Sequence, residues 1–474
     1  MTPTPTDDPD RTALVTGASG YIGGHLVPKL LNAGWSVRVL TRHADSLNDK
    51  PWRGHVDVVE GDVGSADDMR RALQGIRSAW YLVHSMDDQP DFARRDREAA
   101  QAFADAAEQQ GVRRIVYLGG IHPDHELLSP HLASRVEVGR TFLGSKVPTA
   151  VLQAAVVLGD GSASFDMLRY LTSRLPAMVA PKWLDNRIQP IAVDDVTTLL
   201  AGAGDLPDDV NRTFDIGADE VLTYREMIQR FAKVVGHRPP VMVTVPVLTP
   251  RLASHWVGLV TPISPGLAKP LVGSLVHEVV VKENDLLQYV PHEGKFTSFD
   301  DAVAEAMKGA TPDTLPRNLL VAGAAVAACA VVGALATKPE SNWYKGLDLP
   351  DWQPPTIAFP VVWTALYADL AVSTAATLTS LDRDDSPEKR SAYLRAVGGN
   401  LVLNAAWSWL FWRSKRPALA TLECAALTLS SVDLARRSAK REPLAGAALL
   451  PYAAWCGFAT VLSGAIARRN PRRK

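Results

Sequence analysis

The chain has 474 residues, 47% of them hydrophobic and 21% charged, a balance that excludes a disordered or fibrous protein. Its 50 Lys and Arg nearly cancel 51 Asp and Glu, yet residues 1–316 carry 31 basic and 40 acidic side chains, a net of -9, while residues 317–474 carry 19 and 11, a net of +8. Two unlike parts are joined here, each large enough to bury its own core, and no nucleic-acid partner is expected of either.

Residues 1–10 are polar and acidic, without a charged-then-apolar leader, so they read as a disordered start to a cytoplasmic domain. Residues 11–308 alternate short apolar runs with amphipathic stretches, the pattern of βαβ units. Strands are predicted at 13–16, 36–41, 56–60, 79–83, 114–118 and 150–152, with helices at 21–33, 66–74 and 94–110 between them. Six strands with such crossovers predict an α/β doubly wound parallel sheet, followed from about residue 211 by a smaller substrate lobe.

Directly after the first strand, ALVTGASGYIGGHL places Gly17, Gly20 and Gly23 at the start of a helix. Glycines at this spacing permit a tight turn and a close backbone approach to a pyrophosphate, whose charge sits at the helix N-terminus. Thr16, Ser19, Tyr21 and Ile22 complete the loop. At the end of the second strand, 19 residues beyond Gly23, stands Arg42 where NAD-preferring domains carry an acid. A guanidinium there suits a 2′-phosphate and favours NADP over NAD. Asp62 and Val63 can bracket an adenine, and Leu82, Val83 and His84, continuing to Ser85, would line the ribose.

The TGxxGxxG loop, the Asp62–Val63 pair and the IQPIAVDDV segment resemble the atypical, NmrA-like branch of the short-chain dehydrogenase/reductase superfamily, over roughly residues 11–300. The resemblance implies a Tyr-x-x-x-Lys pair on the helix after the fifth strand, with the Tyr transferring the proton that accompanies a hydride. This chain has HLASRVEVGRTF there, which puts His131 and Arg135 at the matching spacing, and Gly119 or Gly120 where a Ser is usual. Redox chemistry and cofactor binding without turnover both remain open. Asp194 and Asp195 read as a helix N-terminal cap rather than a catalytic pair.

Residues 309–318, GATPDTLPRN, read as a linker, after which the composition turns apolar. Five transmembrane spans are predicted, at 319–336, 358–381, 396–412, 417–434 and 443–467, the second and fourth interrupted by Asp369 and Glu423. Seven of the chain's twelve Trp lie in this all-α part. Its three cysteines, Cys329, Cys424 and Cys456, sit at no metal-ligand or redox spacing, so they read as packing residues and no metal site is expected. Loop charges do not decide orientation; the leaderless first domain places the N-terminus inside.

The segments NWYKGLDLPDWQPPTIAFPVVWTALY, GNLVLNAAWSWLFW and LLPYAAWCGFATVL resemble the TspO/MBR family, the tryptophan-rich sensory and translocator proteins, over about residues 317–470. Pro354-Pro355 favours an ordered loop that can lid the bundle. The resemblance implies a pocket for a planar hydrophobic ligand, such as a porphyrin or haem-like tetrapyrrole. Trp363 and Trp455 would face each other across it, with Trp352, Tyr367 and Trp407 nearby and Asn404 as a polar contact. It also leaves room for a homodimer through the bundle. The family's Asn in the last span is replaced by Ser463, and no sterol-type Tyr pattern follows Tyr452. The expectation is therefore a membrane-anchored NADP-binding reductase-like domain fused to a ligand-binding bundle. The alternatives are a non-catalytic dinucleotide-responsive sensor and a ligand transporter.

Overall fold

The computed structural model describes residues 10–84, 91–123, 128–175, 177–245, 254, 257–258, 260–263, 265–292, 294–310, 313–384 and 386–471. The chain divides into two compact units, residues 1–310 and 311–474.

The first unit is built on β1 (Thr12–Thr16), α1 (Tyr21–Asn32), β2 (Ser36–Thr41), β3 (Asp57–Glu60), α2 (Ala66–Leu73), β4 (Ser78–Tyr81), α3 (Phe92–Gln109), β5 (Arg114–Gly120), α4 (Pro130–Leu143) and β6 (Thr149–Ala154). A seventh strand, β7 (Arg212–Ile216), follows the helices α5 (Ala163–Arg174) and α6 (Val193–Gly202). All seven strands are parallel, in the order β7-β6-β5-β4-β1-β2-β3. The order reverses between β1 and β4, the place where a doubly wound sheet opens a crevice at the carboxyl ends of its strands.

The six predicted strands are present to within a residue or two, because each is a short β-branched or aliphatic run closed by a turn residue. Two features differ from the expectation. Residues 212–216, expected in the smaller lobe, extend the main sheet instead, since RTFDI buries Phe214 and Ile216 against Leu152 and Ala154 of β6. The second lobe also draws on residues well before 211. Its core joins Phe165, Leu168 and Leu171 of α5 to Met227 and Phe231 of α7 (Tyr224–Val234) and to Phe299 and Val303 of the helix Phe299–Gly309.

The sheet holds its helices through large buried groups. Trp80 on β4 is fully buried, stacks edge-on against Trp35 at 5.3 Å, and donates its indole N–H to the Leu200 carbonyl at 2.8 Å. Gly204 lets that ring lie flat against the backbone, for a Cβ there would stand 2.4 Å from it. Asp194 and Asp195 do lie in the first turn of α6, but neither side chain caps it. Asp194 pairs with Lys29 of α1 at 2.9 Å, and the buried Asp195 accepts from His292 Nε2 at 3.0 Å and from the Thr297 amide at 2.9 Å. They fasten α6 to its neighbours.

The second unit is helical: Leu315–Ala336, Ala358–Arg383, Pro387–Ser408, Pro417–Ala439 and Leu450–Arg469, with a short helix Pro443–Ala448 before the last. The first begins at Leu315, four residues ahead of the predicted span, because Pro316 at its second position starts a helix readily. Four stretches, Leu315–Ala336, Ala358–Arg383, Pro417–Ala439 and Pro443–Arg469, are long and apolar enough to cross a membrane, against the five expected. The helix Pro387–Ser408 falls short because Glu388, Lys389, Arg390 and Arg395 occupy its first half and its apolar end passes into a π turn, Trp409–Arg413. Pro417–Ala439 packs along Leu450–Arg469, and Leu315–Ala336 along Ala358–Arg383. Asn318 ties three helices together: its amide donates to Thr379 Oγ1 at 3.1 Å and Asp382 Oδ2 at 2.8 Å, while Arg390 donates to Asp382 Oδ1 at 2.7 Å.

Replacing Trp80→Ala removes the largest buried side chain of the sheet and strands the Leu200 carbonyl, so it is expected to lower the stability of the first unit by about 3–5 kcal/mol, measured by chemical denaturation of the detergent-solubilised chain.

Candidate functional site

The glycine loop lies at the switch point. Gly17 has φ +74, and a Cβ on it would meet the Leu82 carbonyl at 2.8 Å. Gly23 packs the first turn of α1 so closely on the loop that a Cβ would meet the Gly17 carbonyl at 2.3 Å. Gly20 is the N-cap of α1 and supplies no side chain to the amides behind it, and no acid stands in the first turn. Free N–H groups, the positive end of the helix and a backbone free of Cβ atoms fit the pyrophosphate of a dinucleotide. Thr16 joins the two strands that border the crevice: its hydroxyl donates to the Trp80 carbonyl and accepts from the Leu82 amide, each at 3.2 Å.

Ser19 and Gly20 are exposed beside the loop, and Ile22 packs at the edge of the core. The Tyr21 ring turns away from solvent toward the residue 159–161 loop, where a Cβ on Gly159 would collide with its hydroxyl. Burial, and then Asp160 and Asp166, push that hydroxyl's pKa up, so it stays protonated. Arg42 stands exposed at the end of β2 with no partner among the described residues, a position open to a phosphate. Asp62 is exposed and closes its own turn by accepting from the Gly64 amide at 2.8 Å; Val63, like Val59 and Val83, packs partly buried against the core on one side of the sheet. Leu82, Val83 and His84 follow β4 at the crevice, and Ser85 lies outside the described residues.

His131 and Arg135 lie one turn apart on α4, and the sequence reading missed what they face. Arg135 donates to His84 Nε2 at 2.6 Å, across from the end of β4. The His131 ring stacks on Phe92 at the start of α3, centroids 4.4 Å apart and planes 17° from parallel. Burial, the Arg135 charge and His131 hold the His84 imidazole well below its ordinary value. The ring is therefore neutral, and since Nε2 accepts from a guanidinium its proton lies on Nδ1. The spacing of His131 and Arg135 was visible in the sequence, whereas a partner 51 residues away, just after β4, was not.

In the helical unit Asn404 is the centre of a buried polar chain. Its Oδ1 accepts from Tyr367 at 2.7 Å, its amide donates to Tyr452 Oη at 3.1 Å, and Tyr452 donates in turn to Asn400 Oδ1 at 2.8 Å. Asn400 continues to Ser430 and Ser431, each at 3.1 Å. Trp363 leans on Tyr367 and Tyr452, with centroids at 5.3 and 6.3 Å. A second aromatic group holds Trp407, stacked on Phe411 at 5.1 Å, and its indole donates to Ser463 Oγ at 3.2 Å. Trp343 lies against the same Phe411, with an enclosed indole N–H that has no partner among the described residues. Above it the loop through Pro354-Pro355 is tied down: Arg469 donates to the Leu349 carbonyl at 2.9 Å and Asn470 to the Asp348 carbonyl at 3.0 Å.

A family model described as the TspO/MBR family matches residues 321–469, and one described as NAD(P)H-binding matches residues 17–151. Protein CrtK of Rhodobacter capsulatus is 30% identical over 148 residues, 31% of this chain and 91% of its own length. The chain belongs to the TspO/MBR family. Its N-terminal unit is a fused NAD(P)-binding domain. Ceramide reductase of Caulobacter vibrioides is 28% identical over 236 residues, 48% of this chain and 71% of its own. The Citrobacter sp. triphenylmethane reductase shares the fold at a TM-score of 0.50 and 17% identity, over 63% of this chain and 99% of that one.

Of the residues the TspO/MBR resemblance names, Trp363, Tyr367 and Asn404 come together, and Trp455 meets Phe359 at 6.1 Å, one turn before Trp363, and Phe458 at 5.2 Å. Trp352 is half exposed and touches Phe458 at 5.9 Å. Trp363 and Trp455 both pack against one buried cluster that includes Tyr452, and Ser463 serves as acceptor for Trp407.

Because the folded chain keeps His84 neutral, the unfolded chain takes up a proton there first as pH falls below about 6.5. Stability is thus complete above that value and declines as pH drops toward the depressed folded value. The thermal midpoint of the wild type is expected to fall more between about pH 7.5 and pH 5.5 than that of His84→Gln.

Proposed function

We propose that this protein is a membrane-anchored NADPH-dependent reductase of a lipophilic carbonyl compound, whose bundle holds a planar hydrophobic ligand. The observation that carries the reading is the contact of Arg135 with His84 at the carboxyl edge of the sheet, beside the glycine loop. It supplies a fixed positive charge where active relatives of this fold use a Lys. The bound cofactor would supply a hydride to the carbonyl carbon. Arg135 then stabilises the oxygen as the π electrons move onto it, His84 fixes the guanidinium by accepting from it, and His131 gives the oxygen its proton and recovers one from solvent. Arg42 selects the 2′-phosphate of NADP, with NAD as the weaker cofactor. The relative named ceramide reductase supports a ceramide-like lipid as the substrate class.

In the bundle, Trp343, Trp363, Tyr367 and Trp407 offer flat apolar walls, and the Trp343 indole N–H is a donor without a partner among the described residues, which suits a tetrapyrrole. Pro387–Ser408, continued by its π turn, makes the fifth span, with its charged half at the membrane edge and the NAD(P) domain on the cytoplasmic side. A second reading, a sensor without turnover, is favoured by His131 standing where the proton-transferring Tyr is usual.

Arg42→Ala is expected to weaken NADPH binding about 10- to 100-fold and to leave NADH unchanged, as read by cofactor fluorescence titration. Arg135→Met should cut substrate-dependent NADPH oxidation about 100-fold while NADPH still binds. If the wild type oxidises no NADPH with any lipid ketone, yet its porphyrin affinity shifts on adding NADPH, the sensor reading stands and the reductase fails.

A further inference from the structure

Among the described residues of the N-terminal unit only five large hydrophobic side chains are well exposed, and three of them, Val179 (50%), Val241 (64%) and Val243 (58%), share one surface. They lie on a two-stranded parallel ribbon, Ala177–Pro181 beside Val241–Val245, whose register sets Val243 against Val179 and Val241 against Ala177. Alternation puts Met178, Ala180 and Met242 on the opposite face, where they join the core of the second lobe. The ribbon is thus anchored from below and, among the described residues, exposed on its apolar side.

Its ends are basic. Lys182 follows Pro181 directly, and Lys233, His237 and Arg238 precede Val241; all four are exposed. Lys182, Lys233 and Arg238 have no ion pair among the described residues, and Asp185, the nearest acid in sequence to Lys182, is taken by Arg225 at 2.6 Å. Unpaired cations around an apolar face stand out in a part of the chain whose net charge is -9. The lobe that carries the ribbon also contains the helix Phe299–Gly309, whose Phe299, Val303 and Ala306 share its core. From Ala310 the chain reaches the membrane helix at Leu315 within at most about 18 Å of extended backbone.

We propose that the Val179–Val241–Val243 face rests in the headgroup boundary of the bilayer, with Lys182 and Arg238 on anionic lipid. Valines at this depth remove apolar surface from water, the short tether makes the encounter intramolecular, and the cations match a phosphate layer. Such a face would let the substrate lobe take a ligand directly from the lipid. The proposal depends on the membrane anchor and not on the reductase chemistry.

The test places an environment-sensitive thiol dye at Val243→Cys in the full chain. The native Cys329, Cys424 and Cys456 are buried, so the dye goes to the new site. The protein is reconstituted in phosphatidylcholine vesicles with and without phosphatidylglycerol, some lipids carrying a quencher near the headgroup. Gln109→Cys, exposed at the end of α3, is the reference. Quenching several-fold stronger at 243 than at 109, increased by phosphatidylglycerol and reduced by Lys182→Glu with Arg238→Glu, is the expected result. Equal quenching at the two positions overturns the proposal. So does energy transfer between dyes on two chains without lipid quenching, which would make the face a contact between copies. Neither readout requires cofactor or turnover, so a failure here is distinct from a failure of the reductase reading.

Discussion

The Thr16 hydroxyl sits where β1 and β4 begin to part, and it bonds to both, donating to the Trp80 carbonyl and accepting from the Leu82 amide. Strands on either side of this pair run outward in opposite directions of the sheet order, so their crossovers go to opposite faces and leave a crevice. The glycine loop can enter that crevice only because Gly17 brings its backbone within contact of Leu82. The same bonds fix the backbone that leads to His84. A cofactor loop and a polar pair from distant segments therefore share one reference point.

The helical unit meets a different constraint. Its helices satisfy their own backbones, and in a bilayer there is no hydrophobic force between them, so association rests on packing and on polar groups enclosed together. Asn404, Tyr367, Tyr452 and Asn400 form such a chain, with each amide used as both donor and acceptor. Bonds of this kind are worth only about 1 kcal/mol apiece in a membrane, so the network gives register more than strength. Glu423, whose two carboxylate oxygens are enclosed without a partner among the described residues, is a costly exception.

The strands and the glycine loop were legible because they depend on local pattern: short β-branched runs, turn residues and a Cβ-free approach. The β7 strand was less legible, since RTFDI is brief and follows a long excursion through α5 and α6, and only pairing with β6 shows where it belongs. His131 and Arg135 could be picked by spacing, but the role of Arg135 depends on His84, and that contact is made by the fold. In the bundle, residue identities pointed to an aromatic pocket, while which ring meets which depends on how each helix is rotated. That Trp363 meets Tyr452 while Trp455 meets Phe359 is set by those rotations and not by spacing along the chain.

Under the proposed function, the join between the units has an energetic meaning. A lipid substrate lives in the bilayer, and a free soluble reductase would meet it only after paying the entropy of association at the surface. A short tether removes that step by holding the cofactor domain at a high effective concentration against the membrane. The charge division serves the same end. The first part, at -9, would be repelled as a whole by an anionic leaflet, so under the proposed membrane contact it touches only where its charge is locally reversed, at Lys182 and Arg238 next to the ribbon of exposed valines. Net repulsion combined with one attractive patch would orient a tethered domain on a charged surface.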